Sequence, residues 1–147
     1  EILSGLVGSE MCIRDSLYAE VFAKHMAEVD HGTIALISSV AGDRGRKSNY
    51  VYGAAKGLVS RYVQGLQHRF AGTNVHVLLI KPGPTDTPMT AHLKTQGARL
   101  ARVDQVAADI TNAIDSHQLE TYTPRIWKMV MLLIQHIPNW IFHKLNI

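Results

Sequence analysis

Two short apolar runs constrain this chain more than anything else in it: Thr33–Ser38 (TIALIS) and Val75–Ile80 (VHVLLI). Both are nearly continuous rather than alternating, the pattern of strands buried on both faces. Between them lies a helical stretch from about Val51 to Phe70, stopped by Ala71-Gly72-Thr73-Asn74. Strand, helix, strand is the unit of a parallel sheet, because parallel neighbours need a long crossover. The flanks repeat the alternation. Upstream, Leu17, Val21, Phe22 and Met26 recur at the spacing of one helix face, and the helix should end before His31-Gly32. Downstream, Asp104 is expected to cap a third helix reaching about Ser116, with Val106, Ala107, Ile110 and Ile114 on one face. A short strand over Glu120–Thr123 closes the series. The predicted fold is α/β, a doubly wound parallel sheet covered on both faces.

Composition narrows the class. The chain has 147 residues, 46% apolar and 18% charged, with a mean hydropathy of zero. That excludes a disordered tail and a polytopic membrane protein. A single cysteine, Cys12, excludes an intramolecular disulfide and a multi-cysteine zinc site, and a reducing, cytoplasmic setting is the expectation. Net charge is +3, but the densest basic group is only Arg44, Arg46 and Lys47, which reads as a solvated loop and not as a nucleic-acid surface. Eight histidines include no His-x-x-x-His pair, and His25-x-x-Glu28 has no companion, so no metal site is expected. The absence of Gly-x-Ser-x-Gly argues against a serine hydrolase.

In such sheets ligands bind at the carboxyl ends of the strands. Ser38-Ser39 follows the first run; Pro82-Gly83, then Thr85, Asp86 and Thr87, follow the second. On the helix between them, Tyr52 and Lys56 share one face, with small residues (Gly53, Ala54, Ala55, Gly57) around the lysine that would leave room for a ligand. An ammonium beside a phenol favours the phenolate. Lowering the phenol by roughly 2 to 3 units corresponds to about 3 to 4 kcal/mol, within reach of a close lysine and a cofactor charge. A Tyr-x-x-x-Lys pair alone is a common accident; three groups converging on one sheet edge are not.

Together the lines ISSVAG, YVYGAAKG and IKPGPTDTPM resemble the short-chain dehydrogenase/reductase family, in its order and spacing, over about residues 17–147. The resemblance implies a Rossmann-type, NAD(P)-binding domain that interconverts a carbonyl and a secondary alcohol. It implies that Tyr52 is the general acid/base, that Ser39 hydrogen-bonds the reacting oxygen, and that Lys56 lowers the tyrosine pKa and contacts the nicotinamide ribose. Pro82 and Gly83 would lie beside the nicotinamide, with Thr87 holding its carboxamide and Thr85 giving a backbone contact. A small-molecule or lipid-linked substrate, NAD or NADP, and homo-oligomerisation of the intact protein follow as expectations. DRGRKSNYVYG and the tail are also similar to a branch containing decaprenylphosphoryl-keto-ribose reductases and many bacterial relatives.

Two parts of that pattern are missing. No Gly-x-x-x-Gly-x-Gly turn for a pyrophosphate is present, and the register of the family's catalytic asparagine falls on Met11 or Cys12. Both gaps adjoin residues 1–16, whose VGSEMCIRDS stretch resembles a translated sequencing-adapter peptide found at the ends of proteins inferred from metagenomic reads. Residues 1–16 are therefore expected to be foreign to the fold, and 17–147 to be the C-terminal half of one domain, inactive alone. The alternative is a non-catalytic oligomerisation or membrane-surface fragment with a vestigial site. The tail, 126–147, has no apolar run longer than Met129–Ile134, far short of a bilayer span. It reads equally as an interfacial helix with Trp127, Lys128, Trp140 and Lys144 at the membrane surface, or as a helix pair packed on the core or on a partner subunit. Trp127, Met129 and Met131 are read as packing, not as a cofactor box.

Overall fold

The computed structural model describes residues 2–95 and 97–145, with side chains from residue 10 onward. Residues 146–147 of the expected tail, and residue 1, lie outside the described residues. The chain order is α1 (Ile2–Val29), β1 (Gly32–Ile37), a single 3-10 turn (Val40–Gly42), α2 (Tyr50–Arg69), β2 (Val75–Pro82), a second 3-10 turn (Pro88–Thr90), α3 (Ala91–Thr95), α4 (Val103–Asp115), β3 (Glu120–Thr123), α5 (Ile126–His136) and α6 (Asn139–Phe142). The three strands form one parallel sheet in the order β1-β2-β3. Its register pairs Gly32 with Val75, Ile37 with Ile80, and Pro82 with Thr123.

β2 is the centre of the core, and its two faces explain its unbroken apolar sequence. Val75, Val77 and Leu79 join Ala55, Val59, Val63, Leu66 and Phe70 of α2 and its C-terminus. Leu78 and Ile80 point the other way, onto Ile110, Ala113 and Ile114 of α4. A strand alternates its side chains, so only a strand sandwiched between helix layers needs apolar residues at every position. A third cluster, Val40, Tyr122 and Met131 with Trp127 and Ile134, packs α5 against β3 and the first 3-10 turn.

Three expectations are corrected. First, the buried face of α1 is made of Cys12, Ala19 and Ala23. The face anticipated for the core is instead turned out: Leu17, Val21 and Phe22 are exposed, and only Met26 is partly buried. Small residues let α1 pack closely on α2, and the bulky stripe is left over. Second, Asp104 is not the cap of α4. Arg102 holds that position, while the Asp104 carboxylate, in the first turn, accepts from Arg102 and from the Gln105 amide, where a helix N-terminus favours negative charge. Third, β2 continues through Lys81 and Pro82, because β3 pairs with it that far and the Gly83 amide donates to the Thr123 carbonyl at 2.9 Å.

The outer edge of β1 has no partner strand among the described residues. Beside it runs a groove of about 490 Å³ lined by Tyr18, Phe22, Met26 and Ile34 to Ile37.

Candidate active site at the carboxyl edge of the sheet

Ser39 follows β1 and starts the 3-10 turn, where its Oγ accepts the Ala41 amide at 3.1 Å. The turn lies directly on α2. A Cβ on Gly42 would sit 2.7 Å from the Lys56 carbonyl carbon, and one on Gly53 would sit 2.9 Å from the Ala41 carbonyl oxygen. The small residues around Tyr52 and Lys56 thus admit the backbone of the serine turn; the space read from the sequence as room for a ligand is partly filled by the chain itself. This close approach sets Ser39 against Tyr52.

The neighbouring Ser38 has a different job. It donates from Oγ to the Lys56 carbonyl at 2.8 Å, shares a 2.8 Å hydrogen bond with Ser60 Oγ, and gives its amide to the Ile80 carbonyl. The end of β1 is thereby fastened both to α2 and to β2.

Burial pushes the Tyr52 phenol above its ordinary pKa; the Ser39 hydroxyl pulls it back down in part, and Cys12 adds a small upward push. The Lys56 ammonium donates to the Ile37 carbonyl at 3.0 Å, at the end of β1, and does not enter the balance on the phenol. Cys12, one of the two positions anticipated for the family's asparagine, lies within the field of this pair: burial raises its thiol pKa, and the Lys56 charge lowers it.

Across the edge, Pro82-Gly83 ends β2. The Trp127 indole fills the place where a Cβ on Gly83 would stand, so a larger residue at this turn would have to displace the indole. Thr85 Oγ1 donates back to the Gly83 carbonyl at 3.0 Å. Thr87 Oγ1 shares a hydrogen bond with Thr90 Oγ1 at 3.3 Å. Both threonines are therefore tied into the loop that carries them.

Sequence reasoning passed over the buried charges that join these two loops. Lys81, immediately before Pro82, reaches Asp43 Oδ1 at 2.7 Å and Glu120 Oε1 at 2.5 Å. Tyr122 Oη donates to Asp43 Oδ2 at 2.8 Å. The Lys81 and Asp43 side chains are 6% and 3% exposed. Burial alone would lower the Lys81 pKa, but its hydrogen bonds to Asp43, Glu120 and Tyr122 raise it well above the usual lysine value. Asp43 is the residue after the serine turn, so the pair ties that turn to the base of the Pro-Gly turn. The next residue, Arg44, donates to the Ile134 and Ile137 carbonyls at 2.5 and 2.6 Å, capping α5, and lies 3.8 Å from the Phe142 ring centroid. A solvated loop was expected here; Arg44 is instead a bolt between the site and the tail. Among the described residues, no group of three His, Cys, Asp or Glu could hold a metal ion.

Residues 17–98 match the family model for short chain dehydrogenases. The chain belongs to that family. It is 31% identical over 121 residues to an uncharacterized oxidoreductase of Streptomyces coelicolor, covering 82% of this chain and 47% of the relative. An uncharacterized oxidoreductase of Mycobacterium tuberculosis is 28% identical over 123 residues, covering 84% and 49%. The short-chain dehydrogenase from Burkholderia cenocepacia solved with NADP superposes with a TM-score of 0.74 at 18% identity, over 88% of this chain and 53% of that one; at that identity the likeness speaks to the fold. This family member spans about half the length of the curated relatives it matches.

Proposed function

We propose that this chain is the proton-transferring half of an NAD(P)-dependent oxidoreductase that interconverts a carbonyl and a secondary alcohol. The observation that carries the reading is the seating of the Ser39 turn on α2, which puts its hydroxyl against the Tyr52 phenol at the carboxyl edge of a parallel sheet. Tyr52 gives a proton to the reacting oxygen or takes one from it, as general acid/base. Ser39 holds that oxygen by a hydrogen bond. Lys56 Nζ carries three donors, of which Ile37 takes one; the others serve the nicotinamide ribose and the phenolate as it forms. Pro82, Gly83, Thr85 and Thr87 flank the nicotinamide. These residues fit the nicotinamide end of NAD or NADP, and the chain has no glycine-rich turn for the pyrophosphate. When bound, the nicotinamide supplies the hydride.

The unpaired edge of β1 and the exposed Leu17, Val21 and Phe22 support a larger parent fold, or a second copy, covering this side. Residues 1–16 are read as foreign to that parent, although residues 2–16 are helical. The substrate is a small or lipid-linked carbonyl compound or alcohol, and contact of residues 126–147 with a membrane surface belongs to the same reading. A non-catalytic fragment is favoured by one feature only, Met11 or Cys12 standing in the asparagine's register.

Nicotinamide fluorescence titration tests the half-site reading. The chain alone is expected to show no measurable affinity for NADH or NADPH. The chain joined to an upstream half bearing the glycine-rich turn is expected to bind one of them. Micromolar affinity of the chain alone overturns the reading.

A further inference from the structure

We propose that one face of α5 and α6 docks the protein onto an anionic lipid bilayer. Ile126, Met129 and Leu133 fall on a single stripe of α5, at spacings of three and four, and are 64%, 63% and 70% exposed. Trp140 of α6 continues the patch at 69%. The opposite side of α5 is spoken for: Met131 is fully buried, with Trp127 and Ile134 packed against the same cluster. The outward stripe is therefore not needed to hold the fold.

Charge selects the occupant. From residue 125 to residue 145 the sequence contains Arg125, Lys128 and Lys144, with His136 and His143, and no aspartate or glutamate. Arg125, Lys128, His136 and Lys144 are all exposed. An apolar stripe bordered by cations, with a tryptophan at its end, suits a helix lying in the headgroup boundary of an anionic membrane. A second copy of the same face would set cations against cations. No helix of the described residues is long and apolar enough to cross a membrane, so the contact is peripheral.

The corner between the two helices is held in advance. Arg44 donates to three backbone carbonyls at the end of α5, to Asn139 Oδ1 at 2.9 Å, and stacks on Phe142. The first turn of α5 carries Trp127 onto Gly83. A docked tail thus brings the Pro-Gly side of the site close to the lipid surface, where an apolar substrate would be concentrated. The inference rests on the peripheral-contact reading above and names its face and its lipid; it does not depend on the redox chemistry.

Co-sedimentation of the full chain with vesicles of mixed phosphatidylglycerol and phosphatidylcholine, against phosphatidylcholine alone, tests it. Binding is expected to the anionic vesicles, weaker at high salt, and reduced about tenfold or more in the double variant M129E/L133E, whose side chains are exposed and whose far-UV spectrum checks folding. With Trp127→Phe leaving Trp140 as the only indole, emission is expected to shift to the blue on binding. Binding undiminished in M129E/L133E overturns this face while keeping a membrane contact. Absence of binding to either vesicle overturns both, and self-association of the chain lost in M129E/L133E assigns the face to a second copy instead.

Discussion

Glycines set the distance between the functional side chains. Gly42→Ala places a Cβ 2.7 Å from the Lys56 carbonyl carbon and 2.8 Å from the Gly57 amide, both backbone atoms of α2 that cannot step aside. The variant is expected to lose about 1–3 kcal/mol of stability to overpacking, read by denaturant unfolding; an unchanged midpoint would show that the serine turn does not bear on α2. Tyr52 and Lys56 were legible in the sequence because a helix makes neighbours of residues four apart. Ser39 and the Pro-Gly turn were legible because strand ends are recognisable and converge in parallel sheets. The pKa of the phenol was not. It depends on burial beneath packed elements and on where the Lys56 ammonium comes to rest, and its donation to the Ile37 carbonyl links residues on separate elements.

Elements are joined at this edge by charges rather than by apolar contact alone. Asp43→Ala would leave Lys81, whose side chain is 6% exposed, with Glu120 as its one remaining carboxylate. Removing one partner of a buried pair costs about 3–5 kcal/mol, and the surviving carboxylate puts the expected loss near the lower end, about 3 kcal/mol. Thermal unfolding checks it; a loss below about 1 kcal/mol, the scale of an exposed pair, would mean that the cluster is effectively solvated. None of this was readable beforehand, because Asp43 and Lys81 belong to no periodic pattern and meet only through β1, β2 and the turn between. The strands and α2 were readable, since continuous apolar runs and breakers are local signals. The burial of α1 was not: its bulky stripe is the stronger pattern, yet α1 packs on α2 through Ala19 and Ala23, where close approach decides the face.

Two tyrosines contribute to the alkaline limit of the whole molecule. Burial pushes Tyr62 and Tyr122 up to about 12, helped at Tyr62 by its hydrogen bond to Glu20 and opposed at Tyr122 by Lys81. Unfolded, both titrate near about 10. Between those values the unfolded chain has released protons that the folded chain keeps, so the stability these two groups contribute is whole below about pH 10 and falls as pH rises toward about 12. Melting temperatures across that window are expected to decline, less steeply in Tyr62→Phe; a flat profile contradicts the assignment. At the same scale, the match to about half of each curated relative and the open edge of β1 are what support the proposal that the chemistry needs more of the fold than these residues. Carbonyl-dependent oxidation of NADH or NADPH, by this chain joined to a half bearing the glycine-rich turn, is the measurement that bears most directly on the central claim. Tyr52→Phe is expected to lower turnover by on the order of 10²- to 10⁴-fold while nicotinamide affinity stays unchanged. A phenylalanine variant that keeps most of the turnover would contradict the assignment of Tyr52 as the proton donor and acceptor.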